Sequence, residues 1–153
     1  MVIEPIRSDA QRELVSFKTG QLACGVDIMA VREIRGWTPA TPLPHAPEHV
    51  HGVINLRGEV LPILDLGGRL GMGAAEPTDR HAIIVASIRG RMVGLLVDAV
   101  SDILTVDRAA IQPAPADARG PAAFVEGLLP SEAGMLSIIA LDSLVSDAPV
   151  AAA

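Results

Sequence analysis

Gly52-Val53-Ile54-Asn55-Leu56-Arg57-Gly58-Glu59-Val60-Leu61-Pro62-Ile63-Leu64 decides the fold class. It holds two β-type runs, Gly52 to Leu56 and Glu59 to Leu64, hinged on Arg57-Gly58. A two-residue link of this kind turns through positive φ, which glycine adopts without steric cost. The same construction recurs outward. Arg12 to Lys18 returns as Gln21 to Val26 after Thr19-Gly20. Ala82 to Ile88 returns as Arg91 to Val97 after Arg89-Gly90. Phe124 to Leu129 and Met135 to Leu141 flank a turn ending in Gly134. Short strands joined by glycine-bearing turns, with few helices, predict an all-β protein built as barrels or a sandwich.

Helical signals are sparse. Asp27 is placed to cap a segment Ile28 to Arg35, with Ile28, Val31 and Ile34 at helical spacing and Gly36 as the stop. Asp65 to Leu70 fits one turn, and Ser143 begins a last one. Pro62 inside a strand predicts an edge or a bulge there, because proline cannot donate to a ladder. The proline-rich stretches Pro39 to Pro47 and Pro113 to Pro121 are connectors. The organisation expected is one domain over 12–147 with flexible tails at 1–11 and 148–153. No internal repeat stands out.

Composition narrows the function. Of 153 residues, 50% are hydrophobic and 20% charged, enough apolar surface for a sizeable core. The net charge is -6, with basic residues scattered, so there is no footprint for nucleic acid. One Trp, two Phe and no Tyr leave few stacking platforms for an oligonucleotide- or polysaccharide-binding barrel. A single cysteine, Cys24, fits a reducing compartment. Its apolar neighbours favour a small buried hydrophobe over a nucleophile. The first residues have no signal-peptide pattern, and no apolar run is long enough to span a bilayer. A cytoplasmic protein is expected, meeting membranes only through partners.

Catalytic motifs are missing. There is no G-x-S-x-G elbow, no phosphate loop and no H-E-x-x-H, and the glycine-rich stretch Gly67 to Gly73 lacks a dinucleotide fingerprint. Asp98 and Asp102, four apart, are read as turn and edge acids rather than an acid–base pair. The alternative function is metal binding on a small β-barrel, with His45, His49 and His51 as ligands and Glu48 beside them. The competing reading is three solvent-facing histidines on a connector.

The run from Gly52 through Gly58 into Leu61-Pro62-Ile63-Leu64-Asp65-Leu66 resembles the central hairpin of the CheW family. Gly25-Val26-Asp27-Ile28 and Val31-Arg32-Glu33-Ile34-Arg35-Gly36 resemble segments upstream of it. Val93 to Asp98, Val100 to Leu104, Ile111 to Pro115, Gly127-Leu128 and Met135 to Leu141 follow in family order. The departures are Cys24 where an aromatic is common, Arg32 where glutamine is common and His51 where lysine is common.

The resemblance implies two intertwined five-stranded SH3-like β-barrels with a few short helices, and no catalysis or cofactor. It implies an adaptor in chemosensory signal transduction. The partners would be the cytoplasmic hairpin tip of a chemoreceptor and the regulatory domain of a CheA-type histidine kinase, in arrays at the inner membrane. On that reading the receptor surface comprises Val31, Glu33, Ile34, Asn55, Leu56, Arg57 and Gly58, with Glu33 and Arg57 paired. Val31 and Ile34 are either groove wall or core. A kinase surface would draw on Arg89, Val93, Gly94 and Leu96, which are otherwise strand core and loop.

Overall fold

A computed structural model describes residues 10–44, 50–72, 76–114, 123–131 and 134–144. Eleven strands are defined: β1 (Gln11–Thr19), β2 (Leu22–Asp27), β3 (Val31–Gly36), β4 (Val50–Leu56), β5 (Glu59–Asp65), β6 (Ala82–Ile88), β7 (Arg91–Val97), β8 (Ala99–Asp107), β9 (Gln112–Pro113), β10 (Val125–Ser131) and β11 (Gly134–Ile139). Two four-residue helices, α1 (Leu66–Arg69) and α2 (Leu141–Leu144), follow β5 and β11. Single 3-10 turns occupy Ile28–Ala30 and Arg108–Ala110.

The strands form two sheets. A six-stranded sheet runs β8-β1-β2-β11-β10-β9, and a five-stranded sheet runs β3-β6-β7-β5-β4. Neighbours are antiparallel except β2 with β11 and β5 with β7. Neither ladder closes on itself, so the expected pair of five-stranded barrels is replaced by two open sheets, one with an extra short strand. The five-stranded sheet curls nonetheless. Beyond its edge strand β3 the chain crosses to the opposite edge, where Thr41 and Val53 exchange N–H···O bonds of 2.8 and 2.9 Å. Gly52 permits this crossing, since a Cβ there would lie 2.7 Å from the Thr41 carbonyl oxygen.

The registers reveal a tandem repeat that sequence reading missed. Ile63 faces Gly94 across one parallel pair, and Ile138 faces Gly25 across the other. Ala30-Val31-Arg32-Glu33-Ile34 matches Ala99-Val100-Ser101-Asp102-Ile103, with a register shift at the same place in both. Val50-His51-Gly52-Val53-Ile54 matches Val125-Glu126-Gly127-Leu128-Leu129, again with matching shifts. One repeat is β1 to α1 and the other β6 to α2. Each lobe mixes them: the six-stranded lobe takes β1 and β2 from the first, the five-stranded lobe β6 and β7 from the second. The lobes are intertwined in that sense. A fixed-period scan fails because the connector before the second hairpin is longer.

Three apolar clusters follow. Val15, Phe17, Cys24 and Val26 from one sheet meet Leu64, Ile84, Leu95 and Val97 from the other in a shared core. Ile54, Leu61, Ile63, Ile83, Val85 and Leu96 fill the five-stranded lobe. Leu14, Leu129, Leu136 and Ile138 fill the six-stranded one. β6 sends Ile83 and Val85 into one cluster and Ile84 and Ala86 into another, so both its faces are buried and Ala82–Ala86 is an unbroken apolar run.

Three expectations are corrected. The segment Ile28 to Arg35 is not a helix: Asp27 caps only the turn Ile28–Ala30, accepting the Met29 N–H at 2.8 Å, and Val31–Gly36 is β3. The register shift between Val31 and Glu33 explains the misleading pattern. A bulge puts residues three apart on one face, as a helix does. Asp102, read as an edge acid, lies within β8, whose solvated pattern suits an edge strand. Pro62 is not on an edge strand. It pairs with Val53 of β4, and the ladder to β7 begins only at Ile63, so its missing N–H breaks no bond there. Of the proposed tails, Gln11 lies in β1, while 1–9 and 148–153 lie outside the described residues.

Candidate docking site at the Arg57 turn

The β4–β5 hairpin closes through Arg57-Gly58, both at positive φ (49° and 88°), the type I′ geometry that matches strand twist. Asn55 Oδ1 accepts the Gly58 N–H at 2.7 Å. From this turn the Arg57 guanidinium reaches the opposite edge of the sheet. Its Nη1 and Nη2 donate to Glu33 Oε1 at 2.8 and 2.6 Å. Arg35 Nη1 lies 3.8 Å from the other Glu33 oxygen. The pairing expected between Glu33 and Arg57 is therefore present. It bridges β3 to the turn beyond β4, the two edges of one sheet.

The Arg57 side chain is 67% exposed, so the pair itself stabilises the fold by only about 0.2–1 kcal/mol. A guanidinium carries five N–H donors and Glu33 engages two of its nitrogens, which leaves donor capacity facing solvent. An arginine at this turn is specific to this repeat. The sequence position equivalent to Arg57 in the other repeat is Glu132, outside the described residues, and Glu33 corresponds to Asp102. Two acids stand where one lobe has an ion pair. Residues 31–97, which build the five-stranded lobe, hold seven basic and six acidic side chains. The rest of the chain holds five and twelve.

The other candidates divide by burial. Ile34 is 45% exposed, whereas Val31 is half-buried against the shared core. Leu56 packs partly on the interior of its own lobe, and Asn55 and Gly58 are exposed. Val60, beside the turn, is 74% exposed and was not singled out from sequence. An apolar residue two past a hairpin turn was the available signal. Among the proposed kinase contacts only Arg89 is exposed, at the second Arg-Gly turn, with φ 51°. Val93 and Leu96 are buried in two different clusters. A Cβ on Gly94 would meet Ile63 and Ile83 at 2.6 and 2.8 Å. These three are interior packing residues and present no side chain to a partner in this conformation.

Sequence reading also missed an ionic cluster within the six-stranded lobe. Arg12 Nη2 lies 2.9 Å from Glu126 and 3.4 Å from Asp27, at a cleft also lined by Ser87, Ala140 and Asp142. Its members are up to 114 positions apart, so no local pattern announces it.

The metal reading finds no support. His45 and His49 lie outside the described residues, and His51 packs edge-on to Trp37 at 5.4 Å between ring centroids. No group of three potential ligands occurs among the described residues. Cys24 is buried, and burial pushes its thiol up to about 12, so it is a neutral apolar filler. No helix among the described residues is long and apolar enough to cross a membrane.

Comparison with known proteins agrees with this geometry. The CheW-like domain model matches residues 13–148. The chain is 60% identical over 134 residues to a chemotaxis protein CheW of Rhizobium meliloti, covering 87% of this chain and 86% of the relative. It is 53% identical over 141 residues to a probable chemotaxis protein CheW of Rhizobium etli, covering 92% and 91%. The crystal structure of the scaffolding protein TtCheW from Thermoanaerobacter tengcongensis superposes with a TM-score of 0.83 at 32% identity, covering 96% of both chains. With the match spanning nearly the whole chain and both lobes, this protein belongs to the CheW-like domain family.

Proposed function

We propose that the chain is a non-enzymatic chemotaxis adaptor that couples chemoreceptors to a CheA-type histidine kinase. Family membership supplies the role. The observation that carries the site is the Arg57 turn, held across two sheet edges by Glu33 with most of the arginine side chain in solvent. A receptor tip is a helical hairpin. Helices dock on apolar surface flanked by a few polar anchors, here Ile34 and Val60 beside Arg57. Val31 and Leu56 support the surface from beneath, exposed Gly58 lies at the turn, and Glu33 and Asn55 flank Arg57. The kinase's regulatory domain binds elsewhere, with Arg89 its one exposed candidate. The domain spans 12–147. Each sheet stands in for an SH3-like barrel, a reading that the Thr41–Val53 crossing supports for the five-stranded one. The protein works in the cytoplasm at receptor arrays and meets the membrane through receptors.

Scaffolding needs no tight single contact. Two micromolar interfaces, about -8 kcal/mol each, hold an array once tethering raises the effective concentration. A signal passes only if the assembled interfaces favour one receptor state. Kinase autophosphorylation in receptor-containing membranes, with and without the protein, tests the role. Arg57→Glu, which sets a second acid against Glu33, is expected to stay folded and lose receptor co-sedimentation. Normal coupling by a folded Arg57→Glu protein overturns the site.

A further inference from the structure

We infer that Asn55 acts as a positioning residue for Arg57 rather than as a contact for the partner. The inference rests on the receptor-docking reading above and assigns the turn a division of labour.

In a two-residue hairpin the ladder ends at the pair flanking the turn, here Leu56 with Glu59. The N–H of the second turn residue has no place in that ladder. Asn55 takes up this donor, its Oδ1 lying 2.7 Å from the Gly58 nitrogen. Arg57 sits between the two ends of that bond. Its φ of 49° is in the left-handed region, where a side chain bearing a Cβ is uncommon. Locking the following N–H narrows the backbone swing of Arg57. That aims the guanidinium at Glu33 and fixes the face it turns to solvent. The Asn55 side chain is occupied inward, along the turn.

The second Arg-Gly turn provides an internal control. Arg89 and Gly90 adopt φ of 51° and 79°, almost the values of Arg57 and Gly58, with Ser87 in the position that Asn55 holds. The turn therefore forms without asparagine. What the asparagine adds at residue 55 is orientation, at the turn whose arginine reaches Glu33 across the sheet. Proline occupies the equivalent position, residue 130, in the other repeat, where no arginine follows.

The experiment is a double-mutant cycle on the full chain. Binding to the soluble cytoplasmic hairpin fragment of a chemoreceptor from the same organism is titrated, and thermal unfolding is recorded in parallel. Asn55→Ala is expected to weaken binding about three- to tenfold, the scale of one lost orienting hydrogen bond, with little change in unfolding temperature. Asn55→Asp keeps an acceptor for the Gly58 N–H and is expected to restore most of that loss. In an Arg57→Ala background, Asn55→Ala is expected to have no further effect, because its influence passes through the arginine. The Nε–H resonance of Arg57 is expected to shift in Asn55→Ala and return in Asn55→Asp. Additive losses in the double mutant, or an unmoved Arg57 resonance, overturn the positioning role while leaving the docking site intact. Unchanged binding by Arg57→Ala overturns the docking site itself.

Discussion

Cys24 allows the shared core to be tested by alkaline titration. The residue has no measurable exposure, pairs with Ser137 where the two repeats meet, and has its thiol pushed by burial from 9.0 to about 12. In the unfolded chain the thiol ionises near its ordinary value. Between about pH 9 and 12 the unfolded state has therefore released a proton that the native state keeps. Stability must fall as pH rises through that window, by about 1.4 kcal/mol per pH unit, and is fully retained below it. The background is unusually quiet, because the sequence has no tyrosine and its one lysine is Lys18. Urea unfolding of the wild type and Cys24→Ala at pH 8, 9, 10 and 11 isolates the effect. The variant starts less stable through its lost sulfur contacts. The gap between the two is expected to shrink by roughly 2–3 kcal/mol by pH 11. Parallel curves over the whole range would refute the assignment of Cys24 to a dry core, and with it the close meeting of β2 and β11.

Gly94→Ala is expected to destabilise by about 1–3 kcal/mol, since its Cβ would meet Ile63 and Ile83 at 2.6 and 2.8 Å; an unshifted thermal midpoint would contradict the packing. Ile34→Asp changes an exposed position and is expected to alter stability by no more than about 0.5 kcal/mol while lowering receptor co-sedimentation, so undisturbed binding would remove Ile34 from the docking surface. Arg12→Ala leaves Asp27 and Glu126 without their shared cation, and a loss of about 1–2 kcal/mol in urea unfolding is expected; no loss would show the cluster to be incidental.

Legibility in the sequence followed the range of the interactions involved. The hairpins were readable because their turns are local: Arg57-Gly58 and Arg89-Gly90 occupy positive φ as an Arg-Gly pair between β-type runs should. Asp65 announced its helix, and accepts the Gly68 N–H at 3.1 Å. β3 was misread because its bulge gives strand residues a helical spacing. The Glu33–Arg57 pair was reachable only through the family resemblance, since 24 residues separate its members and sheet curvature joins them. The Arg12 cluster needed the swap of β1 and β2 into the second lobe. For Val93, Gly94 and Leu96 the sequence leaves surface and core both open, because a strand buried on both faces has no polar side to identify its exposure.

The swap also bears on how an adaptor can transmit anything. Each lobe is assembled from both repeats, and Val15, Phe17 and Cys24 pack in one cluster with Ile84, Leu95 and Val97. Neither lobe can lose its strands without opening the other, so the two should unfold as one cooperative unit and hold their docking surfaces at a fixed spacing. The repeats then diverge at their equivalent surfaces. One sets Arg57 against Glu33, and the other carries Glu132 and Asp102; the lobe built from 31–97 is nearly neutral while the remainder is strongly acidic. Unequal charge on the two repeats makes their lobes electrostatically distinct, because like charge penalises a mismatched contact.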